Sequence, residues 1–377
     1  MNKIFCHAPW TNLEILSNGD ILPCCKFQNN NYDKFNIQTH TIDQFRNSRF
    51  LTEIKTEFAE NRWPQGCTRC QIEERIGVKS KRILDNERWY SYYRDYNLYS
   101  NEILTLSIAL GNTCNLKCIM CSPYASSLWA REYQDVYGIT VKNLNNVRKD
   151  LVFDITKFAP NLVHIDFHGG EPFLSNIDDH LAILDTYIKS GRASDISVHY
   201  STNATLFPDQ KFWTRLAHFK NVDIQLSIDG IGNRYEYIRY PANWSVLERT
   251  VQQYQQQQQC MPNLQLSVAH TLSAFNIYYL EEFYQWCRQT GLPDPWIGRL
   301  HRPEHLRLTV WSSAARQIIV DKLKSSNSVD LQLWVDLFNT CNDSENFDQF
   351  VQFVQTHDDY RKLNFCDTFP ELKYFIK

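Results

Sequence analysis

The spacing of apolar and polar positions changes several times along this chain, and the changes divide it into parts. In the middle, short apolar runs rich in β-branched residues recur at 104–110, 162–167, 196–201, 222–228, 264–270 and 296–300. Each reads as a buried strand. Between them lie 144–158, 177–190, 209–219, 245–258 and 277–289, where apolar residues recur every three or four positions as on one face of a helix. Strands alternating with helices predict right-handed crossovers and a parallel sheet. The glutamine run 255–259 closes one of these helices and reads as a solvated face.

Before residue 98 the pattern is different. Two short apolar stretches, 12–16 and 21–25, flank Ser17-Asn18-Gly19-Asp20. Asn-Gly between such stretches marks a two-residue hairpin, because both turn positions need positive φ. A helix is expected over 41–60, followed by Cys67-Thr-Arg-Cys70 and a charged, aromatic linker helix over 71–97. After residue 300, amphipathic stretches at 313–325, 331–340 and 347–356 predict a small helical cap. The expected organisation is therefore 1–97, 98–300 and 301–377.

Composition narrows the function. A formal net charge of −3 over 377 residues argues against a basic nucleic-acid-binding surface. The N-terminus shows no signal-peptide pattern and no apolar run reaches the length of a membrane span, so a cytoplasmic protein is expected. Twelve cysteines in that setting point to metal or cluster binding more than to disulfides.

Three of them, Cys114, Cys118 and Cys121, follow the first core strand with C-x3-C-x2-C spacing. Thiols this close cannot all pair as disulfides but can converge on a metal or cluster. A cubane iron–sulfur cluster normally takes four thiolates, so a set of three leaves one iron open to bind something else. A zinc knuckle short of a ligand, or buried structural thiols, are the plainer alternatives. At the end of the second core strand stands Gly169-Gly170-Glu171-Pro172, where paired glycines let backbone approach a ligand closely. The third and fourth strands end in Asn203 and in Ser227-Ile-Asp229, and Arg239 follows. Carboxyl ends of strands are where open α/β sheets gather ligands, although each of these residues would also serve as a cap or turn residue. A second group, Cys6, Cys24, Cys67 and Cys70, offers four sulfurs to one site, with Cys25 an alternative to Cys24. A zinc ribbon or an iron–sulfur cluster would satisfy that group equally on chemistry alone.

The triplet and the Gly-Gly-Glu-Pro turn, in this order, resemble the radical S-adenosylmethionine (radical SAM) superfamily. Cys6-x12-Gly19-x4-Cys24 with the later Cys-x-x-Cys resembles the SPASM and twitch modules of such enzymes, although those modules usually follow the core rather than precede it. The resemblance implies a partial (β/α)6 barrel with a small N-terminal twitch-like α+β module, made of a β-hairpin plus a helix. Cys114, Cys118 and Cys121 would hold a [4Fe–4S] cluster, and Cys6, Cys24, Cys67 and Cys70 an auxiliary [4Fe–4S] cluster. Met120, Gly169, Gly170, Glu171, Asn203, Ser227, Asp229 and Arg239 would bind S-adenosylmethionine, Met120 standing where the family more often has an aromatic residue.

The implied activity is reductive cleavage of S-adenosylmethionine to a 5′-deoxyadenosyl radical, which abstracts a hydrogen atom from a peptide or small polar substrate. The auxiliary cluster would relay an electron, giving oxidation or cross-linking, with a flavodoxin- or ferredoxin-like donor. One alternative is redox-neutral epimerisation, in which a lone cysteine (Cys260, Cys287, Cys341 or Cys366) returns the hydrogen atom. A non-catalytic iron–sulfur or zinc protein for sensing or partner binding is the alternative of another class. His270, after the fifth strand, reads more readily as a hydrogen-bonded core histidine than as a substrate contact.

Overall fold

The computed structural model describes residues 4–29, 32–94, 102–141, 155–325 and 329–376. The chain forms two compact units, one of Met1–Thr113, Lys142–Ser201 and Pro208–Asp223, the other of Cys114–Val141, Thr202–Phe207 and Ile224–Lys377.

The first unit is built on a sheet. Strands β1 (Asn12–Ile15) and β2 (Asp20–Leu22) form the expected hairpin, and β3 (Phe35–Asn36) adds to its outer side. Gly19 turns the hairpin at φ +83°. Asn36 holds that turn, its Nδ2 donating to Asn18 O at 2.9 Å and to Asp20 Oδ1 at 3.0 Å. Strands β4 (Thr105–Ala109), β5 (His164–His168) and β6 (Ser197–Thr202) run parallel to one another. Beyond the sequence expectation, β1 also pairs with β4, in parallel and with Glu14 opposite Ser107. The hairpin is thereby an extension of the core sheet. One face of that sheet is closed by Leu13, Ile15, Leu106, Ile108, Ile165, Phe167, Val198 and Tyr200, each at most 1% exposed.

The helix expected over 41–60 is broken into Ile42–Arg46 and Arg49–Ala59. Thr41 and Gln44 form a capping box at the first, and the Ser48 hydroxyl accepts the Leu51 N–H to start the second. The linker segment holds Thr68–Arg75 and Lys81–Tyr93, while 95–97 lie outside the described residues. So does most of the helix expected over 144–158, whose described part, 155–158, is helical. The helices Ile177–Lys189 and Gln210–Leu216 form where the periodicity places them, and the start of β7 (Asn221–Ser227) follows β6 in the sheet.

In the second unit β8 (Leu264–Leu272) pairs in parallel with β9 (Trp296–Arg299), and Ile228, just past β7, donates its N–H to Ala269 O. The helices Trp244–Cys260 and Leu280–Gln289 also meet expectation. An unforeseen helix, Ser127–Tyr137, begins at a Ser126 cap and ends at Gly138 with φ +69°. The C-terminal segment is helical as expected, in Ser313–Lys324, Val329–Thr340 and Phe347–Arg361. Tyr237, Phe275, Trp311, Phe350, Phe365 and Phe369 make the aromatic core that anchors it. No helix among the described residues is long and apolar enough to cross a membrane.

Candidate iron–sulfur and cofactor sites

In the first unit, four cysteines reach one cavity from three local structures. Cys6 precedes the one-turn helix Ala8–Thr11, Cys24 follows β2, and Cys67 and Cys70 lie at the start of Thr68–Arg75. All four line the cavity, together with Phe27, Phe58 and Trp63 and with the cations Lys26, Lys81 and Arg82. Phe27 lies so close over Gly66 that a Cβ there would stand 2.2 Å from its ring. Burial and the neighbouring sulfurs raise the Cys24 thiol, and burial lifts Cys6 to about 12. Several buried thiols facing each other cannot all ionise unless a cation binds among them. Metal coordination deprotonates such a set outright, so the donors fit an iron–sulfur cluster. Cys25 does not line this cavity; it is exposed, and the charges around it are Lys81, Glu14 and Asp166. Cys24 is therefore the sulfur placed with Cys6, Cys67 and Cys70.

In the second unit, Cys114, Cys118 and Cys121 sit on a loop held at several points. Lys117 N donates to Tyr240 O at 2.7 Å and Ile119 N to Ile238 O at 2.7 Å, so the loop runs strand-like beside 238–240. Leu116 and Ile119 bury their side chains at 2% exposure. Ser126 Oγ donates to Leu116 O at 2.6 Å, and Cys121 N to Cys118 O at 2.9 Å. Among the described residues, no group of three or more His, Cys, Asp or Glu side chains is arranged to hold a single metal ion. Thiolates on one zinc stand about 3.8 Å apart, given zinc–sulfur bonds of about 2.3 Å, whereas those of a cubane sit on separate irons.

Two residues expected to meet S-adenosylmethionine donate to the cysteine sulfurs. Asn203 Nδ2 donates to Cys114 Sγ at 3.8 Å and to Asn115 Oδ1 at 2.8 Å. Arg239 Nη1 donates to Cys118 Sγ at 3.9 Å, and its Nη2 lies 2.6 Å from Asp229 Oδ2. Asp229 is fully buried, and its Oδ1 accepts the Thr271 N–H at 2.6 Å. It thus matches Arg239 and anchors β8. Ser227 ends β7 and Met120 stays half-buried on the cysteine loop. His270 is a core residue, its Nδ1 3.0 Å from Ile228 O and its ring 4.3 Å from Phe283.

The Gly-Gly-Glu-Pro turn belongs to the first unit and packs on the end of the β4 segment. Gly169 and Gly170 have φ of +79° and +55°. A Cβ on Gly169 would lie 2.4 Å from Ala109 Cβ, and one on Gly170 2.4 Å from Thr113 O. Glu171 N donates to Thr113 O at 2.8 Å. The Glu171 carboxylate is fully buried and accepts the Phe173 N–H at 3.2 Å, so it shapes the turn.

Sequence reasoning missed one constellation beside the cysteine loop. Glu132, fully buried on Ser127–Tyr137, meets Lys117 Nζ at 2.7 Å, His357 Nδ1 at 2.6 Å and Arg361 Nε at 2.8 Å. Arg361 Nη2 also donates to Lys117 O at 2.9 Å. Burial alone would raise the Glu132 carboxyl. The His357 hydrogen bond and the Arg361 and Lys117 cations hold it down to about 2. The spacing of these residues along the chain shows no sign of their meeting.

Residues 6–71 match the SPASM iron–sulfur cluster-binding domain. The likeness is confined to that N-terminal segment. The four cysteines at one cavity, Cys6, Cys24, Cys67 and Cys70, all fall within that match. Solved structures with some likeness include anSMEcpe with bound AdoMet, at 15% identity and TM-score 0.43 over 59% of each chain. SuiB of Streptococcus suis bound to S-adenosylmethionine gives 12% and 0.38 over 96% of this chain and 72% of that one. TYW1 with a lysine–pyruvate adduct gives 11% and 0.34 over 73% of this chain and 89% of that one. The chain thus spans about three-fifths of the length of the first of these. Among curated proteins, none matches.

Proposed function

We propose that this chain is a radical SAM enzyme in which Cys114, Cys118 and Cys121 hold a [4Fe–4S] cluster and the SPASM module holds a second. The observation that carries the reading is the cysteine loop: three thiols on eight residues, with an amide donor on the Cys114 sulfur, a guanidinium donor on the Cys118 sulfur and no fourth thiol in the C-x3-C-x2-C set. The SPASM match supports it, since that module is itself an iron–sulfur binder. Gly169 and Gly170, at positive φ just past the end of β5, make the tight turn that the Gly-Gly-Glu-Pro resemblance places beside S-adenosylmethionine.

When bound, the cluster and S-adenosylmethionine supply a 5′-deoxyadenosyl radical, which is chemistry no side chain can provide. The chain's own part is to orient and to shield. Asn203 and Arg239 donate to the sulfurs of Cys114 and Cys118 and would favour the reduced state of a cluster held there. Asp229 holds the Arg239 guanidinium in place. The Glu132 network fixes the backbone at Lys117, one residue before Cys118. The substrate is a peptide or small polar molecule, oxidised or cross-linked, and a cluster held by Cys6, Cys24, Cys67 and Cys70 would supply the electron acceptor. A flavodoxin- or ferredoxin-like protein is the donor. The test is anaerobic reconstitution with S-adenosylmethionine and dithionite. The reading requires 5′-deoxyadenosine and near eight irons per chain; absence of 5′-deoxyadenosine at that iron content would refute it.

A further inference from the structure

Two depressions meet in the first unit. One is the cavity that Cys6, Cys24, Cys67 and Cys70 line. The other is a groove of about 450 Å³ whose lining includes Ile4, Trp63, Glu74, Arg75, Arg82 and Ile83. Trp63 and Arg82 line both, so the wall between the sulfurs and the groove is one side chain thick there. Arg82 is fixed in that wall. Its Nη1 donates to the carbonyl of Phe5, the residue before Cys6, and its Nε and Nη2 donate to Glu74 at 2.8 and 2.6 Å. The guanidinium lies 5.2 Å from the centre of the Trp63 ring.

The groove carries one unmatched charge. Glu74 is taken up by the two-pronged pair with Arg82, which leaves Arg75 among the three charged side chains of the lining. Arg75 is exposed and makes no side-chain hydrogen bond or ion pair among the described residues. Ions close to the lining residues along the chain pair among themselves: Lys79 with Glu87 at 3.0 Å, Lys81 with Asp85 at 2.7 Å, Lys26 with Glu73 at 3.2 Å, and Arg62 with Glu60. Apolar surface also extends past the groove. Ile72 and Leu84, next in sequence to the lining residues Gln71 and Ile83, are 45% and 37% exposed. A small ligand seated in the groove would leave both in water, whereas a protein would cover them.

The proposed reaction needs such a partner. Of the two electrons that an oxidised substrate loses, one leaves with the hydrogen atom taken by the 5′-deoxyadenosyl radical. The other passes, with release of a proton, to a cluster held by Cys6, Cys24, Cys67 and Cys70, and has to leave before the next turnover. Four thiolates fill the coordination of such a cluster and leave no open iron for an oxidant. The electron therefore exits through the protein wall. Redox encounter surfaces are small, and complementary charge brings their partners together.

We propose that the groove over Trp63 and Arg82 is the docking surface for an acidic one-electron carrier protein, which receives there the electron that substrate oxidation leaves on the sulfur site, and that Arg75 steers it. The proposal names a partner for the reading above and rests on it. One electron leaves the site and one enters the carrier; no bond is made or broken.

The test uses the anaerobically reconstituted full chain with oxidised flavodoxin, an acidic carrier, as the probe. Calorimetric titration is expected to show saturable binding that weakens about tenfold between about 20 and about 200 mM salt. Arg75→Glu is expected to weaken binding about tenfold, with iron content and melting temperature holding. Ile72→Ser is expected to weaken it about threefold. Arg49→Glu, at a side chain 88% exposed elsewhere in the first unit, is expected to bind like the unsubstituted protein. In stopped flow, Arg75→Glu should slow oxidation of the reduced, desalted protein by flavodoxin about tenfold and leave its oxidation by uncharged benzoquinone unchanged. No saturable binding, binding indifferent to salt, or equal losses in Arg75→Glu and Arg49→Glu overturn the proposal. So does an Arg75→Glu protein that keeps the unsubstituted affinity and rate. Should Arg75→Glu lose its iron, Ile72→Ser decides, and unchanged binding there counts against the proposal. Formation of 5′-deoxyadenosine with dithionite is read in parallel, since dithionite needs no docking surface. Its presence alongside a failed binding series sinks the proposal and leaves the radical SAM reading standing. Its absence at full iron content sinks the radical SAM reading, whatever flavodoxin does.

Discussion

Replacing Glu132 by glutamine removes one negative charge from the most enclosed ion network of the second unit. Glu132 is the shared partner of Lys117, His357 and Arg361, all within 2.8 Å, and both it and the Arg361 side chain have no solvent exposure. The variant keeps the shape but leaves two cations facing a neutral amide. Removing one partner of a buried pair costs about 3–5 kcal/mol, because the remaining charge is stranded. For a unit of about 190 residues, each kcal/mol lowers the melting temperature by about 2–4 °C. The expected loss is therefore roughly 6–20 °C, measured by scanning calorimetry of anaerobically prepared protein at pH 7. Since Arg361 and Lys117 hold the loop of Cys118, iron per chain should fall as well.

Two controls separate this from general damage. The double variant Glu132→Met, Arg361→Met should be much less damaged than the sum of its single variants, because it strands fewer charges. The acid limb gives the sign. The folded carboxyl titrates near 2, below its ordinary value of 4.5, so its stabilising contribution is complete above pH about 4.5. It is lost as the pH falls from there toward 2, and Glu132→Gln should lack that part of the acid dependence. A loss under about 1 kcal/mol, or strict additivity in the double variant, would refute the reasoning.

The remaining predictions concern the two sulfur sites. Cys24→Ala should remove about half the iron while Cys25→Ala leaves the iron count unchanged, since only Cys24 shares the cavity with Cys6, Cys67 and Cys70; equal losses on iron analysis would reverse that assignment. Gly170→Ala combines a positive φ with a 2.4 Å approach to Thr113 O, so it should destabilise the first unit by about 2 kcal/mol or more and weaken S-adenosylmethionine binding. Calorimetry and equilibrium dialysis measure the two effects, and a wild-type affinity would discount the turn as a ligand contact. Asn203→Ala deletes a donor to Cys114 Sγ and should move the cluster midpoint potential negative, on the order of tens of millivolts. An EPR-monitored redox titration reads the shift, and an unmoved potential would show that the donor has no influence on the cluster.

Much of the core was legible as pattern. The strands at 104–110, 162–167, 196–201, 222–228 and 264–270 all form to within a few residues, because buried strands need β-branched runs and the turns between them need polar breaks. The hairpin at Asn18-Gly19 was legible for the same reason. The break at Ser48 was missed because the apolar spacing of 41–60 runs through it, whereas the cap depends on one hydroxyl. The polar alternation of β5 was visible in the letters His-Ile-Asp-Phe-His, but it becomes a row only once Glu14, His199 and Asp223 are placed beside it.

Sequence by itself determined the ligand chemistry. Cysteine spacing of three and four residues confines Cys114, Cys118 and Cys121 to one loop whatever the fold does, whereas Cys6, Cys24 and the Cys67–Cys70 pair meet only because the fold brings three local structures together. Tertiary structure decided which groups meet those thiols. Arg239 lies 121 residues from Cys118 and Asn203 lies 89 from Cys114, and strand ends bring them together. It also decided that β1 joins β4, which carries Glu14 from the hairpin to the polar face of the sheet, opposite Ser107. Local spacing is written in the chain because neighbouring residues cannot separate. Contacts across a hundred residues depend on how every strand between them packs.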